Sequence, residues 1–280
     1  MLGPSETALH VARLRAAHQV CEKGSVFADP HALKIIDHTP ESIMQTEQAS
    51  HMRRGERLFV SSRSRFAEDS AMRALLRGAS QVVVLGAGYD TFCMRFNPAP
   101  GQNLFELDHA DTQASKRKAM QSIGVELSPQ SQMVAVDFEN DDLFTKLGEA
   151  GFNEDKPTFF FWLGVVPYLK EQTVFELLGS LRRLNSAEIV FDYGQDPQGY
   201  SGLRRERYQS MIDEAHAMGE PWLSFFEPAV LAEKLRELGF TELEDLGVSE
   251  IGARYVPSWK LPPGTPGGHI MRARFEADDA

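Results

Sequence analysis

The stretch QVVVLGAGYDT at residues 81–91 constrains the fold more than any other part of this chain. A short β-branched run without polar alternation reads as a strand covered on both faces, and such strands belong to parallel sheets flanked by helices. The glycines that end it, Gly86 and Gly88, let the backbone turn sharply and approach a ligand that any Cβ would obstruct. Similar runs recur at residues 103–107, 133–136, 158–163 and 188–191, with helical periodicity at 110–123, 141–150 and 171–184. Strands alternating with helices predict right-handed crossovers, a mostly parallel sheet, and a ligand crevice outside the carboxyl ends of the strands.

The two ends of the chain read differently. Residues 5–78 are helical in pattern, punctuated at Asp29-Pro30 and Thr39-Pro40, and predict a helical N-terminal extension. Past Asp192 the alternation breaks into helices at 203–218 and 228–238 and strands at 241–246 and 270–275. Pro257, Pro262, Pro263 and Pro266 lie between those strands and predict a long hairpin connection. The expectation is one α/β domain: a helical cap over 1–78, a ligand-binding core over 79–196, a lid over 197–227, and a C-terminal helix and antiparallel hairpin over 228–280.

With 40 acidic against 29 Lys and Arg side chains, the net charge is −11, which argues against nucleic acid as a partner. No apolar run approaches the roughly 18 residues that span a bilayer, and the first residues lack the apolar stretch of a secretory signal, so no membrane partner and a cytoplasmic location are expected. Cys21 and Cys93 offer neither a disulfide framework nor the paired spacing of a zinc site, and no metal is expected.

Residues Gly86, Ala87 and Gly88 form the turn after the first strand. Where the dinucleotide fingerprint wants Gly or Ala for helix packing, this chain has Thr91, which disfavours a nicotinamide cofactor. The second strand ends in Glu106 and Asp108, placed to accept hydrogen bonds from ribose hydroxyls. The third ends in Asp137-Phe138-Glu139, where a carboxylate accepts an adenine amine and the next backbone N–H meets a ring nitrogen. Each aspartate also suits a helix cap, Asp90 most of all. Taken in order, the three features point to an adenosyl ligand, S-adenosyl-L-methionine (SAM).

The segments RSRFAED at 63–69, QVVVLGAGYDT, FELDHADTQASKRK, VAVDFE, FFFWLGVVPYL, IVFDYG and GEPWLSFFEP also resemble the leucine carboxyl methyltransferase-like SAM-dependent methyltransferases, including their bacterial O-methyltransferase branch. That resemblance implies a Rossmann-like class I methyltransferase fold: a seven-stranded, mostly parallel sheet with a C-terminal antiparallel hairpin. It implies that Gly86 and Gly88 line the methionine part of SAM, that Asp108 holds the ribose, and that Asp137 with Phe138 holds the adenine. Arg63 matches the arginine expected at the SAM carboxylate, with Arg65 the nearby alternative, in a stretch where residues 51–77 hold seven Arg against three acids. Leu163 stands where the phosphatase carboxyl methyltransferases carry a Glu. The SAM ammonium is then left to backbone carbonyls, and a phosphatase C-terminus is disfavoured as substrate.

Methyl transfer needs alignment more than reacting side chains, so few catalytic residues are expected. A carboxylate acceptor needs only positioning cations, whereas a hydroxyl needs a base within reach. Candidates are His109, Tyr168 and Tyr193, with Arg204 and Arg205 on the lid. Aromatic residues suggest a small apolar or amphipathic methyl acceptor. The competing readings are a non-catalytic SAM-binding module and a nicotinamide oxidoreductase.

Overall fold

A computed structural model describes residues 5–48, 53–138 and 140–276. The chain forms two compact units, Met1–Asn153 and Glu154–Ala280. The fold is α/β with a seven-stranded, mostly parallel sheet of strand order β3-β2-β1-β4-β5-β7-β6.

In the first unit, α1 (Glu6–Cys21), α2 (Pro40–Gln48) and α3 (Arg54–Leu76) precede the sheet. Ser5 starts α1 by accepting the Ala8 N–H at 3.0 Å. This helix buries Arg15 and His18 along with its alanines, because both polar groups find partners. His18 Nε2 accepts the Val26 N–H at 3.2 Å, and its Nδ1 lies 3.3 Å from Glu22, which Arg57 of α3 grips at 2.8 and 3.1 Å.

Three parallel strands follow: β1 (Gln81–Leu85), β2 (Asn103–Asp108) and β3 (Ser131–Ala135). All five residues of β1 are buried, as its unbroken apolar run requires. Their connections hold the single-turn α4 (Phe92–Arg95) and the longer α5 (Ala110–Ser122), and α6 (Leu143–Glu149) follows β3 with Asp142 accepting the Thr145 N–H at its start.

The second unit contains β4 (Thr158–Trp162), α7 (Glu171–Ser180), β5 (Ser186–Gly194), α8 (Gly202–Ala217), α9 (Pro228–Glu237), β6 (Glu242–Leu246), α10 (Val248–Tyr255) and β7 (Gly268–Glu276). β4 and β5 are parallel, while β7 runs antiparallel between β5 and β6. On the β6–β7 ladder Glu242 faces Arg274 and Glu244 faces Arg272, opposite charges placed directly across from each other.

Three expectations need correction. The fifth strand runs to Gly194 rather than stopping at residue 191, because Asp192, Tyr193 and Gly194 stay paired with Ile270, His269 and Gly268. The helix expected over 171–184 ends at Ser180 and gives way to a 3₁₀ turn, Leu181–Arg183. The connection between β6 and β7 begins with α10: its prolines start only at Pro257, which leaves eight residues free to wind and bury Ile251. No helix among the described residues is long and apolar enough to cross a membrane.

Candidate functional site

The turn after β1 is built from two glycines with positive φ, +65° at Gly86 and +47° at Gly88, a backbone conformation that side-chain-bearing residues rarely adopt. The Ala87 N–H donates to Leu107 O at 3.0 Å and the Gly88 N–H donates to Asp108 Oδ2 at 2.6 Å, so the loop is tied to the carboxyl end of β2. Gly88 has a reason to be glycine that its sequence context did not reveal: a Cβ there would sit 3.0 Å from Ala8 Cβ, so its bare side faces α1.

Asp108 closes β2 half-buried, with Oδ1 accepting the His109 N–H at 2.7 Å. Each of its oxygens thus takes one backbone N–H and keeps a lone pair for a further donor, which suits a ribose diol. Burial pushes its carboxyl above the usual aspartate range, against the pull of the Gly88 and His109 amides. Val136 N–H donates to Asp108 O at 3.0 Å, which brings the end of the third strand alongside. Asp137 and Phe138 are half-buried there, with Asp137 Oδ2 accepting from Asn140 Nδ2 at 2.9 Å; Glu139 lies outside the described residues.

Glu106 is placed differently from Asp108. Its side chain is 1% exposed and its Oε2 accepts from Lys116 Nζ of α5 at 2.7 Å, so this carboxylate is spent inside the unit. Arg63 lies on the buried face of α3, whereas Arg65 is half exposed and paired with Asp69 at 2.9 Å. The basic stretch on α3 is partly neutralised in this way, with Arg57 on Glu22 and Arg65 on Asp69. His109 accepts the Asp111 N–H on Nδ1 at 3.5 Å as the cap of α5.

Behind the glycine loop lies a buried ion network that the sequence reading missed. Arg15 donates from Nη2 to Tyr89 O at 2.5 Å and from Nη1 to Asp90 Oδ2 at 2.9 Å, and its Nε lies 3.8 Å from Asp29. Arg95 grips Glu68 at 2.5 and 2.8 Å and approaches Asp29 at 3.7 Å. Thr91, fully buried, donates to Asp29 Oδ2 at 2.7 Å, and Asp90 Oδ1 accepts the Phe92 N–H at 2.7 Å where α4 begins. Burial alone would raise the Asp90 carboxyl, but Arg15, with Lys116, Arg95 and the Phe92 amide, holds it below the usual range. An arginine set among alanines at LRAAH is the one sequence signal of this network, since small neighbours leave room for a guanidinium to turn inward.

In the second unit Leu163 follows β4 half-buried, Gly164 N–H donates to Asp192 Oδ1 at 2.6 Å, and Tyr168 ends a 3₁₀ turn, Val166–Tyr168. Leu223 N–H and Ser224 Oγ bond back to Pro167 O and Val166 O at 2.6 and 2.9 Å. Tyr193 Oη donates to Asp245 at 2.7 Å, and burial with that carboxylate pushes its phenol up, away from any role as a base. Arg204 of α8 donates to Pro266 O at 3.1 Å, and Arg205 is exposed. Tyr200 stacks on Tyr208 at 4.3 Å, with Trp222 and Phe225 continuing the aromatic cluster.

The strand order, the glycine turn after β1 and the carboxylate at the end of β2 define a Rossmann-like class I methyltransferase fold. The sequence model described as leucine carboxyl methyltransferase matches residues 8–182, and the chain belongs to this family of SAM-dependent methyltransferases. The Bacillus subtilis (strain 168) protein named "Putative S-adenosyl-L-methionine-dependent methyltransferase YktD" is 30% identical over 201 residues, covering 71% of this chain and 66% of that protein. A Saccharopolyspora erythraea protein of the same description is 34% identical over 128 residues, 46% of this chain and 44% of its own length. The chain thus spans less than two thirds of these relatives. Among solved structures, the Thermobifida fusca YX protein described as "a putative methyltransferase" superposes with a TM-score of 0.60 at 16% identity, covering 98% of this chain and 96% of that one. A DUF574 family protein from Streptomyces avermitilis gives 0.51 at 14% identity, over 93% and 96%. At such identities these two show the fold alone.

The residues present suit SAM, the family's cofactor. A ribose diol would need acceptors such as the two Asp108 oxygens, and an adenine amine would need one such as the Asp137 carboxylate.

Proposed function

We propose that the protein transfers a methyl group from SAM to a carboxylate or hydroxyl oxygen of a small molecule. Bound SAM supplies an electrophilic methyl on a sulfonium. Asp108 would hold the ribose, Asp137 and Phe138 the adenine, the turn at Gly86, Ala87 and Gly88 the methionine portion, and Arg63 its carboxylate. With Leu163 unable to pair with the ammonium, backbone carbonyls of the loops would meet that charge. The observation that carries this reading is the half-buried Asp108 carboxylate, anchored to the glycine turn through Gly88 and still able to accept.

On the acceptor side the support is the aromatic cluster of Tyr200, Tyr208, Trp222 and Phe225, whose faces favour an apolar or amphipathic molecule. We assign α8 the part of a lid over the carboxyl end of β5 within the second unit, since its Tyr208 lies beside Gly194, the last residue of that strand. With the Tyr193 hydroxyl committed to Asp245, Tyr168 and His109 are the candidate contacts to the acceptor. A carboxylate acceptor, already ionised, would need no base at all.

The test is S-adenosylhomocysteine (SAH) formation and methyl ester or ether products, followed by mass spectrometry over a panel of small carboxylic acids, phenols and amines. The expected outcome is turnover on an oxygen acceptor, abolished in Asp108→Asn together with SAH binding. Tight SAH binding with no turnover on any acceptor would favour a binding module, and turnover on amines alone would refute the oxygen assignment.

A further inference from the structure

We propose that Arg15, on the N-terminal helix and outside the sheet, is a positioning residue for SAM. It would hold the glycine turn in the conformation that takes the cofactor. The inference rests on the assignment of the methionine portion of SAM to residues 86–88.

A turn between a strand and a short helix has carbonyls with no ladder partner, and a left-handed glycine on either side of Ala87 gives the backbone freedom to rearrange. Beside the backbone bonds of Ala87 N–H to Leu107 O and Asp90 N–H to Ala87 O, further contacts restrict that freedom. Asp108 takes the Gly88 N–H on one side. On the other, Arg15 takes Tyr89 O and Asp90 Oδ2 with its two terminal nitrogens, a fork that fixes two successive residues at once. Asp90 in turn holds the Phe92 N–H, so the pull of Arg15 passes through one carboxylate to the start of α4. Ala8, two turns earlier on α1, fills the space beside Gly88.

The placement of Arg15 is itself informative. Its side chain is 5% exposed, and keeping a guanidinium out of water is costly unless every partner is well placed. A hydrophobic residue would dock α1 more cheaply. What it would not supply is a donor for Tyr89 O and a counter-charge for Asp90.

The experiment measures SAH binding by calorimetry and thermal stability for the whole chain and four variants. Arg15→Gln is expected to weaken SAH binding about tenfold or more. Arg57→Gln breaks a comparably buried pair, with Glu22, away from the turn, and is expected to lower the melting temperature by a similar amount while SAH affinity stays within about twofold. Arg15→Lys reaches only one of the two partners, and is expected to fold as the wild type does and to bind SAH with intermediate affinity. It decides the matter if Arg15→Gln does not fold. Equal SAH affinity in wild type and the folded Arg15 variants overturns the inference, as does an equal loss in Arg57→Gln. Asp108→Asn separates the two levels: if it too binds SAH normally, the assignment of the cofactor to this turn fails, whereas if it binds weakly and Arg15→Gln does not, only the role of Arg15 fails.

Discussion

Lys116 and Glu106 meet at 2.7 Å with 1% of each side chain exposed, and the buried Cys93 thiol lies beside the same carboxylate. Burial pushes the Glu106 carboxyl up and outweighs the pull of Lys116. Removing one partner strands a charge. Lys116→Met should therefore destabilise the fold by about 3–5 kcal/mol, and adding Glu106→Gln should recover most of that loss, both read from denaturant unfolding. The double variant should bind SAH as the wild type does, because the Glu106 carboxylate is held inside by α5; a loss of binding would return Glu106 to the ribose site. Two acids that look equivalent in Phe105-Glu106-Leu107-Asp108 thus differ by what α5 places beside each. That difference depends on a lysine ten residues away from Glu106, and no local pattern encodes it.

At the scale of elements, the five parallel strands and most helices were legible, the best-covered strands because their burial is written as an apolar run. β1 and β4 are wholly buried and read as unbroken apolar runs. The part played by α1 was not legible, since Arg15 and His18 look like solvent-facing residues until their partners at Tyr89, Asp90, Val26 and Glu22 are in place. Nor was α10, hidden in front of a proline-rich tail. The helix α8 was legible, yet it buries only Tyr208 and Ala215. A helix tethered by so little is drawn from the low-stability end of the structure. Gly194 is the test point, because a Cβ there would run into the Tyr208 hydroxyl. Gly194→Ala should free α8 and speed tryptic cleavage at Arg204, Arg205 and Arg207 several-fold while the melting temperature falls little. Unchanged cleavage would mean that α8 is held by more than its tyrosine.

Over the whole molecule the acids divide into two sets with opposite effects on stability. Burial lifts Glu68, Glu106 and Asp108 above their ordinary values, so the folded chain binds these protons more tightly than the unfolded one. Their contribution is complete below the unfolded values, near pH 4, and is lost as pH rises through the folded values. Asp90 and Glu22 behave in reverse: burial is outweighed by Arg15 and its neighbours in one case, and by His18 and Arg57 in the other. Their contribution is present above the unfolded values and lost as pH falls through the folded ones. The net charge of −11 adds self-repulsion that also eases on mild acidification. The two sets oppose each other across the unfolded values near pH 4: above them the three lifted carboxyls make stability fall as pH rises toward neutrality, and below them Asp90 and Glu22 make it fall as pH drops. Scanning calorimetry from acid to neutral pH checks it. In Asp108→Asn, which cannot titrate, the fall on the neutral side should shrink, and a melting temperature that instead climbs steadily from about pH 4 to neutrality in the wild type would show that the three lifted carboxyls do not govern this window.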